Sequence, residues 1–222
     1  MLRALISANR TICGFLLVCV AGALWPAQAI GETQYDRFEI AGDVLIYDTE
    51  NVAEDVKSSI TREDIDVLKR ILQENGQITL LRLNSDGGST WVSRQIGDIV
   101  VDFDLDTQVD GVCASSCVRI LLAGTKRTMT RGSRVGFHQF WWSAPSIRDY
   151  YERDAEEEGW DDPFEFTSWV YQDTQFEIHE HLMFMVRRGV DAVFAIETLQ
   201  TRPHDVWYPY RARLLAVGVL TE

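Results

Sequence analysis

Residues 77–101, QITLLRLNSDGGSTWVSRQIGDIVV, are the stretch of the chain that decides its fold. Residues 77–83 form the short apolar run that is typical of a buried strand, and residues 84–89 form a glycine turn. From residue 90 to residue 101 the apolar side chains recur at helical spacing. A buried strand that passes through a tight turn into an amphipathic helix predicts one unit of a parallel sheet with crossover helices.

The same alternation continues on both sides of this stretch and predicts a single α/β domain over residues 30–222. The flanking predictions are strands at 43–48, 107–112, 127–130 and 134–137, and helices at 61–76, 116–124, 166–188, 191–199 and 209–217. Residues 141–165 are acidic and rich in tryptophan and contain two prolines. They are predicted to form an inserted loop.

The first 29 residues are predicted to be an export signal. Arg3 and Arg10 give a positive start, residues 12–24 are an apolar stretch that is short for a bilayer span, and Ala27-Gln28-Ala29 fits a cleavage site. The mature protein is then periplasmic or secreted. An uncleaved membrane anchor is the first alternative, and a lipid anchor at Cys19 is a weaker one.

Composition and charge exclude several classes of protein. With 46% apolar and 25% charged residues, the chain is neither disordered nor collagen-like nor a coiled coil. Without the signal it carries 19 basic residues, two fewer than the full 21, against 34 acidic ones, which gives a formal charge of −15. This charge argues against nucleic acid and anionic membranes as partners.

Cys113 and Cys117 are the two cysteines that remain after removal of the signal. In an oxidising compartment such a pair is a disulfide candidate, and a spacing of four residues across a helix start permits the bridge. Two buried thiols and a metal site are the alternatives. The sequence shows no spacing typical of a calcium loop or a zinc peptidase, and we predict no metal and no cofactor.

Three motifs carry candidate chemistry, and two of them lie between a strand and a helix. Asn84-Ser-Asp-Gly87-Gly88 and Gly111-Val-Cys-Ala-Ser115 both occupy such junctions, and His138 follows a later strand. Turns of this kind meet at the carboxyl edge of a parallel sheet. There, main-chain amides can stabilise an oxyanion, and an imidazole can activate a serine hydroxyl. Taken singly, each motif also fits a purely structural role.

Together, the motifs resemble the proteolytic subunit of the Clp protease, a serine peptidase with the crotonase-like spiral fold. The resemblance covers residues 40–140 and, more faintly, the last 20 residues. It implies Ser115 as nucleophile, His138 as general base and the amides of Gly87 and Ser116 as oxyanion donors. For the third member of the triad it favours Asp205, with Asp191 as the weaker choice.

The resemblance also implies a peptide or unfolded protein as substrate and a homo-oligomeric assembly. Family members receive chains from an ATP-driven unfoldase, which is not expected for an exported protein, so we predict an ATP-independent peptidase. Asp86 departs from the family, which usually has proline before the glycine pair. The alternative is an inactive relative that serves as a periplasmic binding or assembly protein. Acyl-thioester chemistry is disfavoured because coenzyme A is scarce outside the cytoplasm.

Overall fold

The computed structural model describes residues 37–54 and 56–222, so the predicted export signal lies outside the described residues. From residue 44 to residue 136 the described strands and helices follow one another in the predicted order. In chain order they are β1 Phe38–Ala41, β2 Val44–Asp48, α1 Glu63–Glu74, β3 Leu80–Ser85, α2 Thr90–Asp102, β4 Asp106–Ala114, α3 Cys117–Ala123, β5 Arg127–Met129, β6 Arg134–Gly136, α4 Ala144–Glu158, α5 Pro163–Arg187, α6 Ala192–Glu197 and α7 Arg211–Ala216.

The sheet has the order β1-β2-β3-β4-β5, and β6 pairs with β4 beyond the end of β5. The β1–β2 pair is antiparallel, and every other pair in the sheet is parallel. The carboxyl ends of β3, β4 and β6 therefore meet at one edge. β1 was not predicted from the sequence, because it is a four-residue strand with only Phe38 buried.

Gly111 interrupts the regular pairing of β3 with β4. Its φ of 116° is in the region that only glycine adopts readily, and a side chain there would collide with the Asn84 side chain. The Asn84 amide accepts a hydrogen bond from the Val112 amide at 3.0 Å and donates to the Asp48 carboxylate at 3.1 Å. This irregularity sets the register of the last residues of β4, from which Ser115 follows.

The prediction of a loop at residues 141–165 is wrong over most of its length, because residues 144–158 form helix α4. The Ser143 hydroxyl caps the helix start by accepting from the Ser146 amide, and Gly159 ends the helix in a left-handed conformation. No residue of α4 is buried. Tyr150 contacts Trp160, Phe166 and Trp169, and these rings hold α4 against α5.

The chain end is fastened to the sheet through Arg127 in β5. Its buried guanidinium donates to the carbonyls of Val219, Gly218 and Arg188 at 2.8 to 3.0 Å. Main-chain atoms add to the contact, since the Thr221 amide donates to the Arg127 carbonyl at 2.9 Å. Within the described part of the chain, no helix is long and apolar enough to span a bilayer.

Candidate functional site

Ser115 lies on a sharp turn between β4 and α3. Its φ of 55° is left-handed, a conformation that costs a residue with a side chain roughly 1–2 kcal/mol. The turn is held because the Ser115 amide donates to the Gly136 carbonyl at 3.0 Å, and Ser116 occupies the helix N-cap. Strain of this kind concentrates at functional sites, where it presents a side chain at a fixed angle.

Cys113 and Cys117 form a disulfide across this turn, with 5.3 Å between their Cα atoms. Both side chains are fully buried. The disulfide is therefore the arrangement in this structure among the three that the sequence left open. The bridge joins Cys113, near the end of β4, to Cys117, the first residue of α3. The residues between the two cysteines therefore have little freedom to move. No cluster of metal-ligating side chains occurs among residues 37–54 and 56–222.

Gly87 brings a second backbone segment against Ser115. A side chain at Gly87 would lie 2.8 Å from the Ala114 carbonyl oxygen and 3.0 Å from Ser115 Cβ. The Gly87 amide donates to the Ser85 hydroxyl at 3.1 Å. In contrast, the Ser116 amide has no acceptor in the described part of the chain. Of the two predicted oxyanion donors, Ser116 is thus unpaired and Gly87 is occupied by a neighbouring side chain.

His138 follows β6 at the same edge of the sheet as Ser115. Ala114 of β4 pairs with Gly136 of β6, so the two residues follow the carboxyl ends of adjacent parallel strands. No hydrogen bond joins their side chains in the described structure. Instead, His138 Nδ1 lies 2.7 Å from the Gln139 carbonyl oxygen. Because a carbonyl only accepts, Nδ1 carries the proton in this contact and Nε2 is left free to accept one.

The two candidates for the third triad residue lie in different surroundings. Asp205 is exposed, and the pairing of Phe137 with Trp207 brings its segment alongside His138. Its carboxylate makes no hydrogen bond to His138 within the described residues. Asp191 caps helix α6 by accepting from the Phe194 amide at 2.9 Å. The Asp191 carboxylate therefore already has a structural role as a helix cap.

A cavity of about 30 Å³ opens beside Ser115, and we call it the arginine pocket. Helices α2, α3 and α5 supply most of its walls. Its lining residues are Thr90, Arg94, Ser115, Ser116, Arg119, Phe140, Glu177 and His181. Glu177 and His181 were not predicted as site residues. Their separation of four residues, which puts both on one face of α5, is the sequence signal that could have pointed to them.

Burial and the two arginines determine the protonation of this pocket. Burial is the main cause that lowers the pKa of His181 to about 4, and the charges of Arg119 and Arg94 lower it further. The imidazole is therefore neutral at pH 7. Burial, together with Asp173, raises the pKa of Glu177, and Arg94 opposes that shift. Burial also lowers the pKa of Arg119 to about 10, which leaves the guanidinium charged.

Comparisons with known proteins identify the architecture. No protein-family model and no curated protein sequence matches the chain. Among solved structures, the chain is similar to a mutant of ClpP1 from Listeria monocytogenes, with a TM-score of 0.50 and 17% sequence identity over 74% of this chain and 85% of that one. At this identity the likeness shows the fold alone. The predicted single-domain, ClpP-like α/β fold is confirmed.

Proposed function

We propose that the protein is a serine hydrolase, and specifically an ATP-independent peptidase that acts in the periplasm or after secretion. The observation that carries the proposal is the strained turn at Ser115, with the unpaired amide of Ser116 next to the hydroxyl. A nucleophile on a left-handed turn and a main-chain donor beside it are what acyl transfer requires.

The roles of the other residues follow from their places at the sheet edge. His138 Nε2 would take the proton of the Ser115 hydroxyl as its oxygen attacks the peptide carbonyl, and would return that proton to the departing amine. The oxyanion would accept from the Ser116 amide. It would also accept from the Gly87 amide once that amide leaves the Ser85 hydroxyl. Water would then attack the acyl-enzyme with the same base and release the acid.

Asp205 is proposed as the third member of the triad, with a smaller contribution than Ser115 or His138. The Gln139 carbonyl already accepts from His138 Nδ1 at 2.7 Å, and this contact holds the tautomer that a general base needs. Exchange of that carbonyl for the Asp205 carboxylate would add stabilisation of the imidazolium.

Export fits the disulfide, because disulfides persist in oxidising compartments. Cleavage of the predicted signal would leave the mature chain outside the cytoplasm, with an uncleaved anchor as the alternative. Peptides and unfolded chains are the proposed substrates, taken without an unfoldase, and the resemblance to Clp protease subunits suggests a homo-oligomer.

A second candidate function has a specific observation in its favour. The Ser115 and His138 side chains are not hydrogen-bonded to each other, and the Gly87 amide is already engaged. These contacts suit an inactive ClpP-like protein that binds or assembles other periplasmic proteins.

Labelling with a fluorophosphonate separates the two candidates. A hydrolase reacts at Ser115, and both Ser115→Ala and His138→Gln abolish the label, whereas Ser116→Ala retains it and serves as the matched control. Digestion and mass spectrometry of the labelled protein locate the adduct. Absence of label on the folded wild-type protein, together with no turnover of unstructured peptides, would favour the binding protein.

A further inference from the structure

We propose that the arginine pocket binds a carboxylate of the substrate, so that the protein selects acidic peptides. This inference rests on the proposed function, since it gives the substrate class of the same site. Two arginines from different helices reach the pocket, Arg94 from α2 and Arg119 from α3. The carboxylate would belong either to a Glu or Asp side chain next to the cleaved bond or to the peptide's own C-terminus.

Neither arginine has a hydrogen-bond or ion-pair partner among the described residues. Over residues 37–54 and 56–222, no hydrogen bond and no ion pair within 4.0 Å involves the guanidinium of Arg94 or Arg119. Two polar atoms of the pocket are buried without a hydrogen bond, Arg119 Nε and Ser116 Oγ. Native proteins rarely leave buried donors unpaired, because each costs about 1–3 kcal/mol. Such donors next to a nucleophile indicate a site for an accepting group.

Arg119 is also held in a pose that suits a carboxylate. Its guanidinium lies over the Phe184 ring, 3.3 Å from the ring centre. Stacking uses one flat face of the guanidinium and leaves its edge, which carries the N–H groups, free for two parallel hydrogen bonds. Phe184 therefore orients the guanidinium without using its N–H groups.

The charges of the lining residues leave a place for one anion. Arg94 and Arg119 are positive, His181 is neutral at pH 7, and Glu177 is the one acid among the lining residues. Outside the lining, two negative charges and one positive charge act on Arg119. They are Asp98 and Glu180 on one side and Arg187 on the other.

The size of the pocket limits what can enter it. One water needs roughly 10–15 Å³ of cavity, so about 30 Å³ holds two waters or the two oxygens of a carboxylate. A large apolar side chain does not fit. Because Ser115 lines the same cavity, a carboxylate bound there would lie next to the residue that attacks the peptide carbonyl.

Matched peptides test the pocket through cleavage. One pair carries Glu or Gln beside the cleaved bond and has an amidated C-terminus, and a second pair contains Gln and ends in a free carboxylate or an amide. We expect kcat/KM to be about tenfold or more higher for the acidic member of one pair. Arg119→Met and Arg94→Met should each remove the difference in kcat/KM between the acidic and the neutral peptide, while the exposed Arg70→Met keeps it. Equal rates within both pairs, or a preference that survives Arg119→Met, would overturn the proposal.

A binding measurement separates this proposal from the proposed function. Calorimetry with the Ser115→Ala protein and the same peptides needs no catalysis. We expect the acidic peptide to bind about tenfold or more tightly than its neutral partner, and Arg119→Met added to Ser115→Ala to abolish the difference. If the wild-type protein cleaves none of the peptides but this binding preference is found, carboxylate binding in the arginine pocket is supported and the peptidase activity is refuted. No preference in binding refutes the pocket whatever the activity.

Discussion

The polar side chains around Asp64 and those of the arginine pocket differ in how completely they are paired. In the first, the Asp64 carboxylate accepts from Arg37 Nη1 at 2.9 Å, from the Tyr47 hydroxyl at 2.7 Å and from the Thr61 amide at 2.7 Å. In the second, the arginine pocket, Arg119 Nε has no partner within the described residues.

The difference separates a polar cluster that holds the fold from one that is arranged for a ligand. The Asp64 cluster joins the segment before β1 to β2 and to α1, and burial followed by the Asp64 charge raises the pKa of Tyr47 far above its ordinary value. The charges of Arg37 and Asp64 are paired with each other inside the protein. The arginines of the arginine pocket have no such partner among the described residues, and a bound anion would supply one and stabilise the protein.

The largest expected effect on stability is that of a substitution at Asp64. Asp64→Ala leaves the Arg37 guanidinium buried without its acid and should lower the free energy of unfolding by about 3–5 kcal/mol. Urea denaturation measures the loss. Asp66→Ala, at an exposed position of the same helix, is the control and should change stability by less than about 0.5 kcal/mol. A loss at Asp64 as small as that at Asp66 would mean that the cluster does not hold the fold.

Low pH should lower the stability of the protein through His181 in the arginine pocket. The pKa of His181 is about 4 in the folded protein and near 6.5 in the unfolded chain, so between these values the unfolded chain binds the extra proton. Stability is therefore lost as pH falls from about 6.5 to 4, by up to about 3 kcal/mol. His181→Gln should flatten this part of the stability profile. Parallel profiles for the two proteins would show that His181 does not contribute.

Loss of the disulfide should have an intermediate effect. The loop closed by Cys113 and Cys117 is so short that the chain-entropy model gives about 2 kcal/mol of stabilisation. Protein refolded with reductant should be less stable by that amount, and its fluorophosphonate labelling should slow as the turn at Ser115 loosens. A Cys113→Ala/Cys117→Ala variant should not respond to reductant. Unchanged labelling after reduction would separate the bridge from the site.

The smallest effect on stability is expected at Arg119. Arg119→Met removes a half-buried guanidinium that has no partner among the described residues, and the methionine side chain can still pack near Phe184, so stability should stay within about 0.5 kcal/mol or rise. Arg127→Met is the matched control, because its guanidinium is hydrogen-bonded to several carbonyls, and it should cost about 2 kcal/mol or more. Equal losses at both arginines would erase the distinction between the clusters.

The sequence predicted most of the sheet because its signals there are local. The buried strands and their glycine turns lie within a few residues of the predicted positions. Helix α4 was missed because charged residues dominate it and none of its residues is buried. Its caps, Ser143 and Gly159, and the helical spacing of Ile147, Tyr150 and Tyr151 were the readable signals.

The candidate site was only partly predictable, because much of it depends on contacts between distant segments. Ser115 and His138 follow strands and could be placed at one edge from topology. Glu177 and His181 line the same cavity as Ser115 because of where α5 lies in the folded chain, and the local sequence does not record that position. The engagement of Gly87 by Ser85 is likewise a matter of tertiary geometry.

Residues 218–221 cover one border of the sheet at β5. Thr221 pairs with Arg127 of β5, and the Arg127 side chain clasps the carbonyls of Gly218 and Val219. A strand from another copy could add at Arg127 only after this tail was displaced, so sheet-to-sheet aggregation is blocked there. Assembly of the protein through this border therefore requires release of residues 218–221 from Arg127, so these contacts limit self-association.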